Sequence, residues 1–510
     1  MAAPHIMLTT PMKEDHRKRA GWKGKPVRAA VRMLAAGVLA LIAGCAAAPP
    51  YQPPAIDLPA AYKEVGASPT HPGGPETIAP DWWRAYGDET LDSLEARIEV
   101  SSQALRKAVA LLQDARSQAR AAHSAYFPTV TAGTAFSRSR VSENVVGRSL
   151  AGKTTNDYLL GLGASWEPDL FGRIGSTVDA AEARAQASAE DVAAVRLGLQ
   201  AELAVDYFGV RSLDREAALL QQTIDAYTSV LDLVTNRYRG GIATEGDVAQ
   251  ARAQLESTRA QLSDLRLNRT QLEHALATLV GEPASRFSLP RAADAGNQEL
   301  LPAVPAALPS QLLERRPDIA AAERRVAAAN AQIGVARAAF FPSLMLTLGG
   351  GLESSSLASW LTAPSRFWAI GPALAGTLLD GGRRQAGEDS AHAQFDASAA
   401  DYRATVLRAV QEVEDGYAAT QALHDEASSQ QVASQASARA LAIGLDRYRK
   451  GAVAYLDVNI LQAASLSSDR ALENVHRRQL AASVGLIRAL GGGWDGAVDI
   501  GQAASPGGTR

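Results

Sequence analysis

The sequence predicts a mainly α-helical fold with a β-barrel portion, built as two tandem repeats of one unit. Three observations predict it. Motifs recur between the two halves at a nearly constant offset. Apolar residues run for many turns in steps of three and four. Short segments with a period of two interrupt the helical stretches of each half.

The repeat fixes the architecture. Ala125-Tyr126-Phe127-Pro128 is echoed by Ala339-Phe340-Phe341-Pro342. Arg237-Tyr238-Arg239-Gly240-Gly241 is echoed by Arg447-Tyr448-Arg449-Lys450-Gly451, Asp247-Val248 by Asp457-Val458, and Leu279-Val280-Gly281 by Ala489-Leu490-Gly491. The last three pairs share an offset of 210 residues and the first has 214, which a small loop-length difference accounts for. Agreement over such a span marks an internal duplication. The first repeat is placed at 81–289 and the second at 310–494, with a Pro-rich linker over 290–309.

Each repeat reads helix, two strands, long helix, helix. In the first, Val210, Leu213, Ala217, Leu220, Ile224, Tyr227, Leu231, Val234 and Tyr238 keep a seven-residue seam. So do Val248, Ala251, Leu255, Thr258, Leu262 and Leu265. That is coiled-coil packing. Helices are expected at about 174–238 and 243–281, then at 384–449 and 454–490. A helix near 65 residues is about 90–100 Å long at 1.5 Å per residue, far more than a compact domain needs. The third of these helices has a weaker seam, broken by Ser, Gln and His424, which suits a helix partly facing water.

The strands are expected at 129–139 and 157–168, and at 343–351 and 366–378. Tyr158, Leu160, Leu162, Ala164 and Trp166 alternate with Leu159, Gly161, Gly163 and Ser165, giving one greasy and one small or polar face. Such segments are long enough to cross a bilayer as tilted strands. Trp166, Phe367 and Trp368 are expected at the membrane interfaces, where amphipathic rings are favoured. Four strands per chain cannot close a membrane barrel, and an open edge in lipid leaves backbone groups unpaired. Membrane strands therefore require several chains to share one barrel; three would supply twelve. The alternative is a soluble four-stranded sheet.

The chain ends carry other signals. Residues 13–32 hold eight Lys and Arg, an apolar run follows over 33–44, and then comes Cys45, the one cysteine of the chain. A basic segment, a short apolar segment and small residues form an export signal rather than a spanning helix. Residues 1–44 are read as the signal peptide and 45–80, rich in Pro, Ala and Gly, as an extended tether. Removing 1–44 takes away eight basic and two acidic residues and leaves 43 basic and 52 acidic, a net charge of −9. No basic field marks nucleic acid as a partner. Residues 495–510, Gly-, Ala- and Ser-rich, read as a disordered tail.

The ordered motifs resemble one family, the outer-membrane efflux channels of the TolC/OprM/NodT type. Ser165-Trp166-Glu167-Pro168-Asp169-Leu170-Phe171-Gly172-Arg173 is similar to its strand-to-helix signature, and Leu313-Glu314-Arg315-Arg316-Pro317-Asp318-Ile319 to the one that opens the second repeat. Ile42-Ala43-Gly44-Cys45 resembles a bacterial lipobox, which implies lipidation of Cys45; Ala46 fits sorting to the outer membrane. The signature residues Trp166, Asp169, Phe171, Gly172, Arg173, Arg316, Pro317 and Asp318 are read as structural. Pro317 suits a first helical turn and Asp318 its positive end, while Gly172 permits a tight strand-to-helix turn.

The resemblance implies a homotrimer with a twelve-stranded barrel in the outer membrane and an α-helical barrel through the periplasm. The implied partners are a periplasmic adaptor protein and an inner-membrane RND-type proton-driven transporter, with no cofactor. It also implies that the turns near 239–247 and 449–457 form a narrow periplasmic tip. Glu245, Asp247 and Asp457 are candidates for an acidic ring there, with Tyr448 and Arg447 one turn up as closing contacts. A carboxylate ring favours cations and raises its own pKa values by mutual repulsion. The competing reading of Asp247 is a helix cap. Ile460 stands where some family members carry an acid.

No enzyme is expected. The histidines His123, His274, His392, His424 and His476 are scattered without ligand spacing, and no nucleophile elbow or phosphate loop occurs. Two other functions compete with a passive small-molecule duct. One is a duct for type I secretion or metal export, which five Met and one Cys argue against for soft metals. The other is a periplasmic coiled-coil scaffold, which has no need of the strands.

Overall fold

The computed structural model describes residues 49–64, 78–144, 149–291, 301–303, 310 and 315–494. The export signal, Cys45, most of the linker and the tail lie outside the described residues.

The first repeat holds helices α1 (Glu89–Ser101) and α2 (Gln103–His123), strands β1 (Thr129–Arg140) and β2 (Thr154–Trp166), and helices α3 (Arg173–Arg239) and α4 (Glu245–Leu279). The second holds α5 (Pro317–Ala338), β3 (Ser343–Ser354), β4 (Arg366–Ala375), α6 (Arg383–Arg449) and α7 (Tyr455–Ala489). Helices α3 and α6 both have 67 residues, and α4 and α7 both have 35. At 1.5 Å per residue the long pair spans about 100 Å. All four helices start and stop at positions 210 residues apart.

The punctuation explains these bounds. Residues before Phe127-Pro128 and Phe341-Pro342 leave helical geometry, as the position before a proline must. Strand β2 ends at Trp166, two residues short of 168, because Pro168 cannot donate to a ladder and the Asp169 carboxylate turns to the next helix. Gly172 and Gly382 take φ of 73° and 89° at the N-termini of α3 and α6, where other residues are strained. At the far ends Gly281 and Gly491 both take positive φ and press against the backbone carbonyls of Ser101 and Arg315.

The sheet order is β1-β2-β3-β4, antiparallel throughout, so β2 pairs with β3 across the repeat boundary. The main core gathers Trp82, Tyr86, α1, α2 and the middle of α3 against α4 and α7, with Tyr207 and Phe208 fully buried at its centre. A second core packs α5 and α6 on the end of α7. The heptad seam of α3 and α4 is buried along most of its length, but Tyr238 is 45% exposed. On α6 no residue between Leu423 and Gly444 is buried in the single chain, although the equivalent stretch of α3 buries Leu220, Ile224, Tyr227 and Val230.

Residues 49–64 are extended, as a tether is expected to be, but they lie against the body rather than hanging free. The Tyr51 hydroxyl donates to Glu323, Glu414 accepts from the Lys63 and Glu64 amides, and Tyr62 is buried against Tyr417.

Candidate functional site

Two regions of this frame bear on function, the sheet and the far tip of the helical hairpins. In an antiparallel ladder directly opposed residues share a face. Val130, Ala164, Leu348 and Ile370 are opposed in one row; Ala132, Leu162, Gly350 and Trp368 in the next; Phe136, Tyr158 and Ser354 near the hairpin end. This face is apolar and exposed, with Trp368 at 77%, Ile370 at 71% and Leu162 at 64%. The other face carries Thr131, Gly163, Gly349 and Gly371 in neighbouring positions, with Asp157 and Glu353 towards the hairpin turns. A sheet that is greasy outside and small or polar inside is the pattern of a membrane barrel wall.

Phe136, Tyr158 and Trp360 pack together at the hairpin end, at 4.8 and 5.9 Å between ring centroids, while Trp368, level with Leu162 on the ladder, sits midway along the same face. Trp166 stands at the opposite end and its indole donates to the Tyr126 carbonyl (2.9 Å). These are two aromatic levels on one face. Phe367 does not join them. Its parity puts it on the small-residue face opposite Gly351, because β4 enters the ladder at Arg366.

The outer edges of β1 and β4 are unpaired, since the four-stranded sheet does not close on itself. Among the described residues no helix is long and apolar enough to cross a membrane.

The signature residues fasten the sheet to the helices. Ile174 and Gly175 amides donate to Asp169 (3.1 and 2.6 Å), capping α3. Arg173 reaches back to Glu167 through two nitrogens (3.2 and 2.7 Å), and Phe171 stacks on Phe341 at 4.8 Å, joining the repeats. In the second repeat Asp380 does the work of Asp169, accepting from Gly382 and Arg384. Sequence reasoning missed Asp380, though an Asp two residues before the Gly pair's second member is a signal it could have used.

Arg316 is buried. It donates to Asp318 (3.0 and 2.7 Å), to Glu412 (2.7 Å) and to the Ala489 carbonyl (3.0 Å). Pro317 is buried in the first turn of α5, and Asp318 accepts from the Ile319 amide. One arginine therefore ties α5, α6 and the end of α7 together.

At the tip, Thr244 and Asp247 form a reciprocal capping box at the start of α4. The Thr244 amide donates to Asp247 (2.9 Å) and the Asp247 amide to the Thr244 hydroxyl (3.2 Å). Such a cap stabilises by about 1 kcal/mol. Ala454, at the equivalent position before α7, offers no side-chain cap. Glu245 and Asp457 are exposed. Tyr448 is buried, edge-on to Tyr455 at 5.8 Å, and its hydroxyl finds no partner among the described residues. Burial, with the neighbouring phenols of Tyr227 and Tyr448 and the Asp247 carboxylate, pushes the Tyr455 phenol up to about 12, so it stays protonated. Asp247 is thus engaged in its own capping box, while Glu245 and Asp457 are exposed in the single chain.

Arg237, which sequence reasoning did not single out, joins the two hairpins. Its guanidinium lies over the Tyr448 ring, 4.4 Å from the centroid, and donates to the Tyr448 and Arg449 carbonyls, both at 2.8 Å. The signal was its 210-residue partner, Arg447.

The family model described as "Outer membrane efflux protein" matches residues 96–282 and again 308–492. The chain belongs to the outer membrane efflux protein family. Outer membrane protein OprJ of Pseudomonas aeruginosa is 32% identical over 472 residues, covering 91% of this chain and 97% of that one. Cation efflux system protein CusC of Escherichia coli K12 is 31% identical over 462 residues, covering 89% and 97%. Among solved structures, the open state of the Neisseria gonorrhoeae MtrE outer membrane channel matches with a TM-score of 0.77 at 29% identity, covering 88% of this chain and 98% of that one. As a member of this family of channels, the chain is an outer-membrane efflux channel that extends into the periplasm.

Proposed function

We propose that three copies of this chain form the exit duct of a tripartite efflux pump. The observation that carries this reading is the four-stranded sheet, apolar on one face and open at both edges. In lipid an unpaired edge costs several kcal/mol per exposed backbone group, so the sheet is stable there only as part of a larger closed barrel. Three copies supply twelve strands, within the size range of membrane barrels. The four long helices of each copy extend from the same end of the sheet and supply the periplasmic wall.

The duct works passively. It has no catalytic role; a periplasmic adaptor docks at the tip and an inner-membrane RND-type transporter supplies the energy. Cys45 carries the lipid that anchors the mature N-terminus in the outer membrane. The inward face of small side chains offers few groups for discriminating solutes, and the relatives support this breadth, since one is named for cation efflux. Glu245, Asp247, Tyr448 and Asp457 are the tip residues that set the closed diameter, with Asp247 also serving as cap.

The test is conductance. Purified protein is expected to run as a trimer and to open steady channels in planar bilayers, with a low closed-state leak. A water-soluble monomer with no membrane association would sink the duct. Asp247→Ala with Asp457→Ala is expected to raise the leak; an unchanged leak leaves Asp247 as a cap alone.

A further inference from the structure

Every charged residue of the four strands lies towards the hairpin turns, and its sign follows its face. Arg138 and Arg140 on β1 are opposed to Asn156 and Thr154, in the rows that continue Phe136 and Tyr158 on the apolar face. Arg366 opens β4 opposite Leu352, on the same face. Asp157 and Glu353 stand on the other face, opposite Ser137 and Leu159. A barrel rim built from this sheet is basic towards lipid and acidic towards the lumen.

Two of the arginines have no counter-charge. Arg138 is exposed and its side chain makes no hydrogen bond, ion pair or ring contact among the described residues. Arg366 is exposed; its Nε donates to the Ala363 carbonyl (3.2 Å), and its terminal nitrogens have no partner among the described residues. Arg140 is paired with Glu143 (2.9 Å). An arginine on the lipid side of a barrel strand is costly at the bilayer midplane and nearly free of cost at the interface. The packed rings of Phe136, Tyr158 and Trp360 mark such an interface at this end. The β3–β4 turn leans over the same face. The Trp360 indole donates to the Leu352 carbonyl (3.3 Å), and Leu357 and Leu361 beside it are exposed. At the Trp166 end the strands carry no charge on the apolar face. Only one margin of the apolar band is therefore basic.

Closure of the barrel brings the arginines of different copies together. Strand β1 runs towards this end and finishes at Arg140, while β4 starts there at Arg366 and runs away. The free edges are those of β1 and β4, so in a closed ring β4 of one copy lies beside β1 of the next. Arg366 then shares an end and a face with Arg138 and Arg140 of the adjoining copy.

We propose that this rim binds the phosphates of an outer-leaflet glycolipid at each seam between copies. Arg366 of one copy and Arg138 of the next grip the headgroup, and the aromatic level with Leu357 and Leu361 meets the acyl chains. This rests on the trimeric duct proposed above. Arginine offers a planar fork of donors to phosphate oxygens, and clustered basic side chains at a membrane surface recognise phosphorylated headgroups. A lipid satisfies both halves of the surface, the basic margin and the apolar rows next to it; a free anion satisfies only the first.

The experiment uses the full-length protein, purified as a trimer in a non-ionic detergent and incubated with lipid A, a phosphorylated glycolipid. Native mass spectrometry is expected to show lipid A retained on the trimer, with a rise in Tm. Arg138→Ala with Arg366→Ala is expected to lower retention several-fold at unchanged trimer yield and conductance. Arg138→Lys with Arg366→Lys, which keeps the charge but not the fork, is expected to fall between. Asp157→Asn with Glu353→Gln, on the opposite face, is expected to retain lipid A as the unsubstituted protein does. Inorganic phosphate at the same concentration is expected to leave Tm unchanged; an equal rise with phosphate would make this a free-anion site and overturn the lipid. Equal retention by the double alanine variant, or a conducting trimer that holds no lipid A, would overturn the rim site and leave the duct standing. Absence of trimer and conductance in the unsubstituted protein removes the duct and the rim site together.

Discussion

Glu95 gives the sharpest test of the packing. It lies on α1 between Leu91, Leu94 and Ile98, with 0% of its surface exposed, and neither carboxylate oxygen has a partner among the described residues. Burial, reinforced by Glu99 and Asp92, raises its pKa from 4.5 to about 9. Below about pH 4.5 the folded and unfolded chains both hold the proton and the site has no pH-dependent cost. Above it the unfolded chain ionises while the folded chain keeps its proton up to about 9. Each pH unit in that window therefore removes about 1.4 kcal/mol, or roughly 3 kcal/mol by pH 7. Glu95→Gln keeps the shape and removes the titration. Relative to the unsubstituted protein it is expected to gain about 3 kcal/mol per chain on going from pH 4 to pH 7, on top of a constant offset from the buried amide. Denaturant unfolding of the helical part, followed by circular dichroism at both pH values, measures the difference. A stability difference that does not change with pH would refute the buried, unpartnered carboxyl.

Other consequences follow from the same contacts. Gly351→Ala drives a Cβ into the Leu160 carbonyl where β2 pairs with β3 and is expected to lower the yield of the trimer proposed above, read by size-exclusion chromatography in detergent. In the trimeric duct proposed above, Asp157→Asn with Glu353→Gln removes carboxylates from the small-residue face near the hairpin turns of each copy and is expected to lower cation selectivity, read as reversal potential in a KCl gradient. Arg316→Ala strands Glu412 and the Ala489 carbonyl and is expected to cost about 2–4 kcal/mol in denaturant unfolding; Lys does not restore it, because one ammonium cannot reach three partners.

Helices and strands were legible because their signals are local. Heptad seams, period-two faces and the Pro and Gly marks lie within a few residues of what they determine, and the repeat let each element vouch for another. The strand of Tyr158 to Trp166 could be assigned its two faces from alternation alone. Phe367 could not, because parity in β4 depends on which residue first joins the ladder. The tip was the least legible part. Asp247 carries the same sequence signal whether it caps a helix or lines a pore. Arg237 acts on residues 211 and 212 positions away, through two backbone carbonyls that leave no mark in composition. The packing of residues 49–64 was likewise hidden, since Tyr51 and Tyr62 find their partners, Glu323 and Tyr417, in the second repeat.

The two repeats diverged in the face each one needs before and after assembly. In a single chain, hairpin one already has its neighbour, so α3 bears a continuous apolar seam. In the trimeric duct proposed above helix α6 meets a neighbour from another chain, and its stretch between Leu423 and Gly444 is rich in Ser, Ala and Gln with few large apolar residues, Val432 and Ile443 among them. A polar face of this kind can stay in water as a lone protomer without marking an aggregation site. The sheet cannot. Its exposed Trp368, Ile370 and Leu374 and its two free edges are tolerable neither in water nor, unclosed, in lipid. In the trimeric duct proposed above, closing the barrel is thus the step that commits three chains to one another. In that reading the α6 surfaces are brought together by the closure rather than driving it.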